Sequence, residues 1–523
     1  MTEAVPLNPN DLLSLDDFIR HWAVDRPDAV VLEQDGRRTT FAELEKSGCR
    51  IVAALADAGV GKGDRIVWYG KNSDFYFQLL FSAGRAGIVT VPVGWRLAPA
   101  EVEYILRDTG AKLVFAGDDF VDCARAVAAQ LPGSPRVIGV DEARAWFSAS
   151  APAEMTAAEP DDAVIQLYTS GTTGKPKGAV LSSRNLFGLR AAGTEAGLPW
   201  ATWEPDEAIL VCMPCAHIGG TGLGVMAVGA GVRGIVQSEF TAEGCLRAMG
   251  EGVTRFFIVP AALQMVIQHP AAATTDFSGL KYVMYGAAPI PLELLRQAVE
   301  TIPNAGFMQC YGMTETTGTV VLLPPEDHTL EGNPRMRAAG KAIPGVEVKI
   351  VGPDGAELPR GEVGEVVTRS ANNMRGYWNL PEATAQTLSA DGWVRTGDAA
   401  TMDEDGYVYI QDRMKDMIIS GGENVYPAEV ESAIYGHPDI AEVAVIGVPD
   451  DRWGEAVKAC VVAKPGCRID EADVIAYARE RIAAFKAPKS VDVIEALPRN
   501  PSGKILRRAL REPYWEGRER AVN

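Results

Sequence analysis

The chain has 523 residues, 47% of them hydrophobic, with a formal net charge of −19. That length predicts more than one domain, and the apolar content supports large cores and excludes a low-hydrophobicity disordered chain. The acidic balance argues against nucleic acid and anionic membrane surfaces as partners, because both are bound by a basic face.

The opening segment, Met1 to Asp11, has neither a basic region nor an apolar core, so no signal peptide is expected. Apolar runs at 65–69, 88–93, 114–116 and 137–140 alternate with helical patterns at 75–85 and 99–107. Further runs at 209–213, 256–259, 282–285 and 307–310 are separated by helical segments such as 292–300. This alternation predicts parallel sheets flanked by helices, with ligands at the carboxyl ends of the strands. Residues 208–232 contain no Asp, Glu, Lys or Arg, yet Pro214, His217 and many glycines oppose a membrane helix. A buried strand leading into a pocket-lining helix is expected there, and no integral membrane segment elsewhere.

Near Gly340 the pattern changes. Short strands at 346–351, 364–368 and 407–411 are divided by Asp354-Gly355, Asp391-Gly392 and Asp405-Gly406 turns, which predicts a β-rich subdomain over about 338–412. A mixed pattern follows: helices at 427–435 and 471–482, strands at 443–448, 457–462 and 491–494. The expected class is α/β, with a large domain over 1–414 and a small α+β domain over 415–523. The eight cysteines are scattered, and only Cys212 and Cys215 form a C-x-x-C pair without partners for a zinc site. Buried thiols in a reduced, cytoplasmic chain are expected.

Tyr168 to Gly178 reads Y-T-S-G-T-T-G-K-P-K-G. Its glycines let backbone N–H groups approach an oxyanion, and its hydroxyls and lysines add donors and positive charge, so the loop suits a polyphosphate. It is not a Walker loop: Gly171 and Gly174 are too close, and Pro176 opposes helix continuation. Downstream, Tyr285-Gly286-Ala287-Ala288-Pro289 ends a strand in small residues that admit a flat ligand. Tyr311-Gly312-Met313-Thr314-Glu315 offers a ring, a hydroxyl and a carboxylate. Asp398 ends a W-V-R-T-G-D run, Asp412 to Asp416 forms a charged connector, and Lys504 lies on a P-R-N-P-S-G-K loop. A basic concentration accompanies it: Lys486, Lys489, Arg499, Lys504, Arg507, Arg508 and Arg511. In order and composition these segments fit Mg·ATP.

Together they resemble the adenylate-forming superfamily, which includes acyl-CoA synthetases, peptide-synthetase adenylation domains and firefly-type luciferases. The resemblance covers nearly the whole chain and implies a role for each matched position. Thr169, Ser170, Gly171, Thr172, Thr173, Gly174, Lys175 and Lys177 would form the phosphate loop. Tyr311 would stack on adenine, and Gly286, Ala287, Ala288, Gln309, Cys310, Gly312 and Met313 would complete the ATP-binding set. Thr314 would contact the α-phosphate, and Glu315 with Thr169 would hold Mg²⁺. Asp398 would bind ribose with Arg413 beside it. Lys504 would be the adenylation lysine, and Lys415 the hinge about which a mobile C-terminal domain turns. Ser420, Gly421, Gly422 and Glu423 would help build the site for CoA.

The resemblance also places His217, Gly219 and Gly220, with Tyr285 and Gly286, around the acid, His217 counting as catalytic. Glycine at 219 suggests room for a longer or bulkier acid, with close helix packing as the alternative reading of these glycines, and Ala216 stands where phenylalanine is common in the family. The implied function is an ATP-dependent acid–CoA ligase for a hydrophobic monocarboxylate such as a fatty acid. The alternatives are an aryl or arylpropenoic acid–CoA ligase, or a stand-alone adenylating enzyme that loads a carrier protein. The P-x4-G-K segment ending at Lys504 resembles one at which bacterial acyl-CoA synthetases are acetylated, which would make a lysine acetyltransferase a partner. A homo-oligomer is compatible with the sequence.

Overall fold

A computed structural model describes residues 9–152, 156–169, 175–329, 331–499 and 505–516. Two large sheets carry most of the chain. In the seven-stranded sheet, Val89–Gly94, Arg65–Gly70, Leu113–Ala116 and Arg136–Gly139 run parallel, as does Ala163–Thr169 on the other flank of Val89–Gly94. Lys177–Ser182 folds back antiparallel, and the two-residue strand Gly376–Tyr377 closes that edge. In the nine-stranded sheet, parallel strands from Gly306–Met313 to Val30–Gln34 are flanked by antiparallel ones, Gly318–Leu323 and Lys341–Ala342 at one edge and Arg37–Thr40 at the other.

Helix Asp74–Arg85 packs on strands of both sheets, on Val89–Gly94 and Ala163–Thr169 as well as on Val30–Gln34. Its Phe75, Tyr76, Phe77, Leu79, Leu80 and Phe81 are buried, each worth about 1.5–3 kcal/mol if fully removed from water. A helix apolar on all sides is the expected form for a position between two sheets. Its buried Arg85 is paired with Asp16 at 2.7 Å and with Glu45 at 2.5 Å.

The uncharged stretch folds as expected, into strand Ala208–Val211 and helix Ile218–Ala230. No helix among the described residues is long and apolar enough to cross a membrane. A four-stranded antiparallel sheet follows: Glu347–Val351, Gly364–Arg369, Val394–Met402 and Val408–Arg413. The last sheet is built of Glu423–Val425, Ile418–Ser420, Gly454–Ala463, Ile440–Asp450 and Ser490–Val493, over a separate core that includes Ile418, Val430, Ile434, Val445, Val457 and Val474.

Candidate active site

The strand Gly306–Met313 ends in a turn that presents Glu315. Residues Thr314–Thr316 form a single 3-10 turn, Thr317 and Gly318 take φ of 54° and 99°, and the chain returns as Gly318–Leu323. The Thr316 hydroxyl accepts from the Met313 N–H at 3.0 Å and lies 2.8 Å from the Gly318 carbonyl oxygen. Gly312 has to be glycine, because a Cβ there would come within 1.8 Å of that carbonyl. Glu315 is 5% exposed, and its backbone oxygen accepts from Met374 N–H at 2.8 Å. Its Oε1 accepts from the Tyr377 hydroxyl at 2.6 Å and the Thr169 hydroxyl at 3.4 Å. Glu315 lies in the turn between two strands of the nine-stranded sheet, whereas Thr169 and Tyr377 belong to strands of the seven-stranded one. The carboxylate therefore sits at the seam. Burial, and then the adjacent carboxylate, raise the pKa of the Tyr377 phenol far above its ordinary value, so it remains a donor. Sequence reading missed Tyr377.

A second tyrosine–carboxylate pair joins the nine-stranded and four-stranded sheets. The Tyr311 hydroxyl donates to Asp398 Oδ2 at 2.7 Å, and Arg413 Nε lies 2.7 Å from Oδ1. Asp398 and Arg413 face each other in register across Val394–Met402 and Val408–Arg413, and Arg413 also donates to the Thr396 carbonyl at 3.2 Å. Burial, reinforced by Asp398, holds the Tyr311 phenol well above its ordinary pKa.

Thr169 and Lys177, cross-strand partners, bracket the glycine-rich loop. Tyr168 donates to Asp108 and Tyr104 to the Pro176 carbonyl at 3.1 Å, so one helix, Pro99–Thr109, braces both ends. Lys175 stands 5.9 Å from the Tyr104 ring and Lys177 5.0 Å from that of Tyr377. Ser170, Gly171, Thr172, Thr173 and Gly174 lie outside the described residues, as does Lys504.

Gly286 ends strand Tyr282–Gly286, and Ala287 and Ala288 follow it. A Cβ on Gly286 would approach the Cys310 carbonyl to 2.0 Å, and exposed Ala287 has φ of 63°, a strained conformation of the kind that gathers at binding sites. Tyr285 does not line this opening. Its side chain is wholly buried in the core, with its hydroxyl 2.9 Å from His328 Nε2 and 3.3 Å from Gln309 Oε1. Burial lowers His328 to about 4, and its Nδ1 faces the Pro324 carbonyl at 2.9 Å, so neutral Nε2 accepts from Tyr285. Gln309 Oε1 is left beside that hydroxyl without its proton, and the Cys310 thiol, its pKa pushed up to about 11 by burial, is buried as well.

His217 is the N-cap residue of Ile218–Ala230 and is half-buried. Asn72 fixes the preceding turn: it donates to the Met213 and Gln237 carbonyls at 3.0 Å each and accepts from Cys215 N–H at 2.8 Å. Gly220 is a packing glycine and no part of an open pocket, since a Cβ there would fall 2.2 Å from the Pro214 carbonyl oxygen. The room left by Gly219 is met by Phe257, whose Cε1 would stand 3.0 Å from an added Cβ. Burial pushes the Cys215 thiol up to about 12, and no metal-holding cluster of His, Cys, Asp or Glu occurs among the described residues.

Lys415 lies in the 3-10 turn Met414–Asp416, where burial lowers its pKa. Ser420 and Glu423 flank a two-residue hairpin turn in which Gly421 and Gly422 take φ of 63° and 84°, the positive values such a turn requires. Gly421 N–H donates to the Trp453 carbonyl at 2.8 Å. The basic concentration near the C-terminus is mostly neutralised: Lys486 pairs with Glu429, Arg499 with Glu442, Arg507 with Glu431 at 2.7 Å, and Arg511 with Asp416 at 3.1 Å. The acidic partners of Lys486, Arg499, Arg507 and Arg511 lie far away in sequence, so the run of positive residues alone does not reveal these pairs.

The sequence matches the AMP-binding enzyme family over residues 19–378 and the AMP-binding enzyme C-terminal domain over 429–504. The chain is 42% identical over 498 residues to the fatty acid–[acyl-carrier-protein] ligase ScoC of Streptomyces coeruleorubidus, covering 94% of each. It is 38% identical over 502 residues to a feruloyl-CoA synthase of an Amycolatopsis species, covering 94% of this chain and 98% of that one. The crystal structure of ATP-bound MatB from Rhodopseudomonas palustris aligns with a TM-score of 0.86 at 32% identity, over 96% of this chain and 99% of that one.

Proposed function

Because the chain belongs to the AMP-binding enzyme family, we propose that it adenylates a hydrophobic monocarboxylate with release of pyrophosphate and then transfers the acyl group to CoA. It is an acid–thiol ligase that uses ATP. The observation that carries the finer reading is the meeting of Glu315 with Thr169 and Tyr377, one short turn from the Tyr311–Asp398 pair, at the end of strand Gly306–Met313.

Each group has chemistry to do. The acid must attack the α-phosphate, and both are anions. Asp398 is fixed through Oδ2 by Tyr311 and through Oδ1 by Arg413, and each oxygen keeps a lone pair for a ribose hydroxyl. The Tyr311 ring would stack on adenine above Gly286 and Ala287. Thr314 would contact the α-phosphate, and the backbone of the glycine-rich loop would hold the departing pyrophosphate. Magnesium usually takes one or two carboxylates and completes its shell with phosphate oxygens and water. Glu315 with the Thr169 hydroxyl is such a donor set, and among the described residues no donor meets Oε2. When bound, Mg²⁺ would offset the charge of the phosphates. Lys504 would add a cation at the developing charge. The thiol step would follow a turn about Lys415 that brings the Ser420–Glu423 hairpin to the adenylate.

Two matters of specificity stay separate. The ScoC similarity favours, as second reading, a carrier-protein thiol as acceptor, and the feruloyl-CoA synthase similarity an arylpropenoic acid as donor. Incubation of the enzyme with ATP, Mg²⁺ and a carboxylate panel, with CoA or with acyl carrier protein, tests them together. Mass spectrometry should find AMP and a fatty acyl-CoA. Acylation of the carrier alone would overturn the CoA assignment, feruloyl-CoA alone the fatty-acid assignment, and ADP as product the reaction itself.

A further inference from the structure

A carboxylate that receives a metal has to be aimed. We propose that Tyr377 is a positioning residue of the adenylation half-reaction: its phenol holds one oxygen of Glu315 so that the other faces the Mg·triphosphate, and its ring face takes the Lys177 ammonium. This rests on the role given to Glu315 above.

Tyr377 is delivered by a strand of two residues, and that strand is pinned along its length. Tyr377 stands opposite Ala179 and Gly376 opposite Val180. Arg375 N–H donates to the Val180 carbonyl at 2.9 Å, Trp378 N–H to Gly178 at 2.8 Å, and Tyr377 N–H to the Thr384 hydroxyl at 2.9 Å. The Trp378 indole donates to the Asp108 carbonyl at 2.9 Å, and the Arg65 guanidinium carbon lies 3.3 Å from the Trp378 ring centroid. So short an edge strand adds little to a sheet. Its fixed anchorage does determine where a single phenol points.

That phenol touches two groups of opposite charge. Its hydroxyl donates to Glu315 Oε1 at 2.6 Å, and the Lys177 ammonium stands 5.0 Å from its ring. A direct Lys177–Glu315 ion pair would cancel the charge a divalent cation requires; among the described residues Lys177 instead faces the Tyr377 ring and Glu315 takes the Tyr377 and Thr169 hydroxyls. The phenol gives each charge a neutral partner instead. Tyr377 and Thr169 both use Oε1, which among the described residues leaves the lone pairs of Oε2 for coordination. Glu315 needs no further backbone anchor, since its turn and the Met374 N–H already supply one.

Tyr377→Phe tests the proposal, because it keeps the ring, the strand pairing and the cation over the ring face and removes only the O–H. Acid-dependent pyrophosphate release should fall about tenfold to a hundredfold, the range of a hydrogen bond to a charged group. The Mg²⁺ concentration for half-maximal rate should rise, while conversion of supplied acyl-adenylate to thioester should keep its rate. Without any acid present, ATP should raise the thermal midpoint of the wild-type protein further with Mg²⁺ than with a chelator, and this increment should shrink in the variant. In a Glu315→Gln background, Tyr377→Phe should add almost nothing. An unchanged Mg²⁺ dependence and thermal increment, equal losses in both half-reactions, or full additivity with Glu315→Gln would each overturn it. A wild-type enzyme that adenylates no acid yet shows the Mg²⁺ increment would count against the proposed reaction and leave the Tyr377 assignment standing.

Discussion

Two clusters of buried carboxylates are handled in opposite ways. At the sheet seam, Glu315 is held by hydroxyls of Tyr377 and Thr169. Around Lys415, Asp412, Asp416 and Glu431 converge on Arg507 and Arg511. Hydroxyls orient a carboxylate and leave its charge available. Guanidinium groups orient it and cancel the charge. The first treatment suits a residue that must receive a cationic ligand, the second a joint that needs only to hold. Asp398 lies between the two, with one tyrosine and one arginine.

The cluster around Lys415, the proposed hinge, should break most severely. Arg507 lies between Asp412, which belongs to the strand before Lys415, and Asp416 and Glu431 after it. Arg507→Met keeps much of the volume and removes the charge, leaving buried carboxylates facing one another. Loss of about 3–5 kcal/mol in stability is expected, as for removal of one partner of a buried pair. Chemical denaturation measures it, and adding Glu431→Gln should recover part of the loss. A change below about 0.5 kcal/mol, the scale of an ordinary surface substitution, would show that the arginine is dispensable there.

The seam should respond in activity and hardly at all in stability. Glu315→Gln keeps an acceptor for Tyr377 and discards the charge. Adenylation should fall by about 10²–10³, the range for loss of one electrostatic stabiliser, read as acid-dependent pyrophosphate release. The thermal midpoint should hold, because no ion pair is broken. A fall in stability like that of the hinge variant would erase the contrast between the clusters.

Much of this contrast could be read from the chain and part could not. Alternating apolar runs predicted the two large α/β sheets, and Thr169, Tyr311, Glu315, Asp398 and Arg413 stood out because short motifs carry their own chemistry. Tyr377 did not, since its partner is 62 residues away in sequence and on another sheet. Strand Val394–Met402, which carries Asp398, was also missed. The core position of Tyr285 was not legible because a strand buried on both faces shows no polar alternation to reveal which way a side chain points. Gly219 and Gly220 look equivalent in sequence, but successive helix residues point in different directions, one toward Phe257 and the other toward the Pro214 carbonyl.

The smallest expected effect concerns pH and sharpens the picture of the hinge. Burial pushes Asp412 up to about 6 from 3.8, with Arg507 opposing and Glu431 adding to the rise. Its Oδ2 accepts from Ala428 N–H at 2.8 Å and Oδ1 from Arg413 N–H at 2.7 Å, so the site is polar yet still costly for a charge. The folded value lies above the unfolded one. Between about pH 4 and 6 the native state therefore binds more protons than the unfolded state, and stability falls as pH rises through that window. The full effect is at most roughly 3 kcal/mol, because a tenfold change in proton affinity is worth about 1.4 kcal/mol. Asp412→Asn keeps an acceptor for Ala428 and cannot titrate. Thermal midpoints taken from pH 4 to 7 should show the wild type losing more stability with rising pH than the variant does. Parallel curves would mean that Arg507 compensates Asp412 fully, and the hinge would then match its charges as completely as an exposed ion pair.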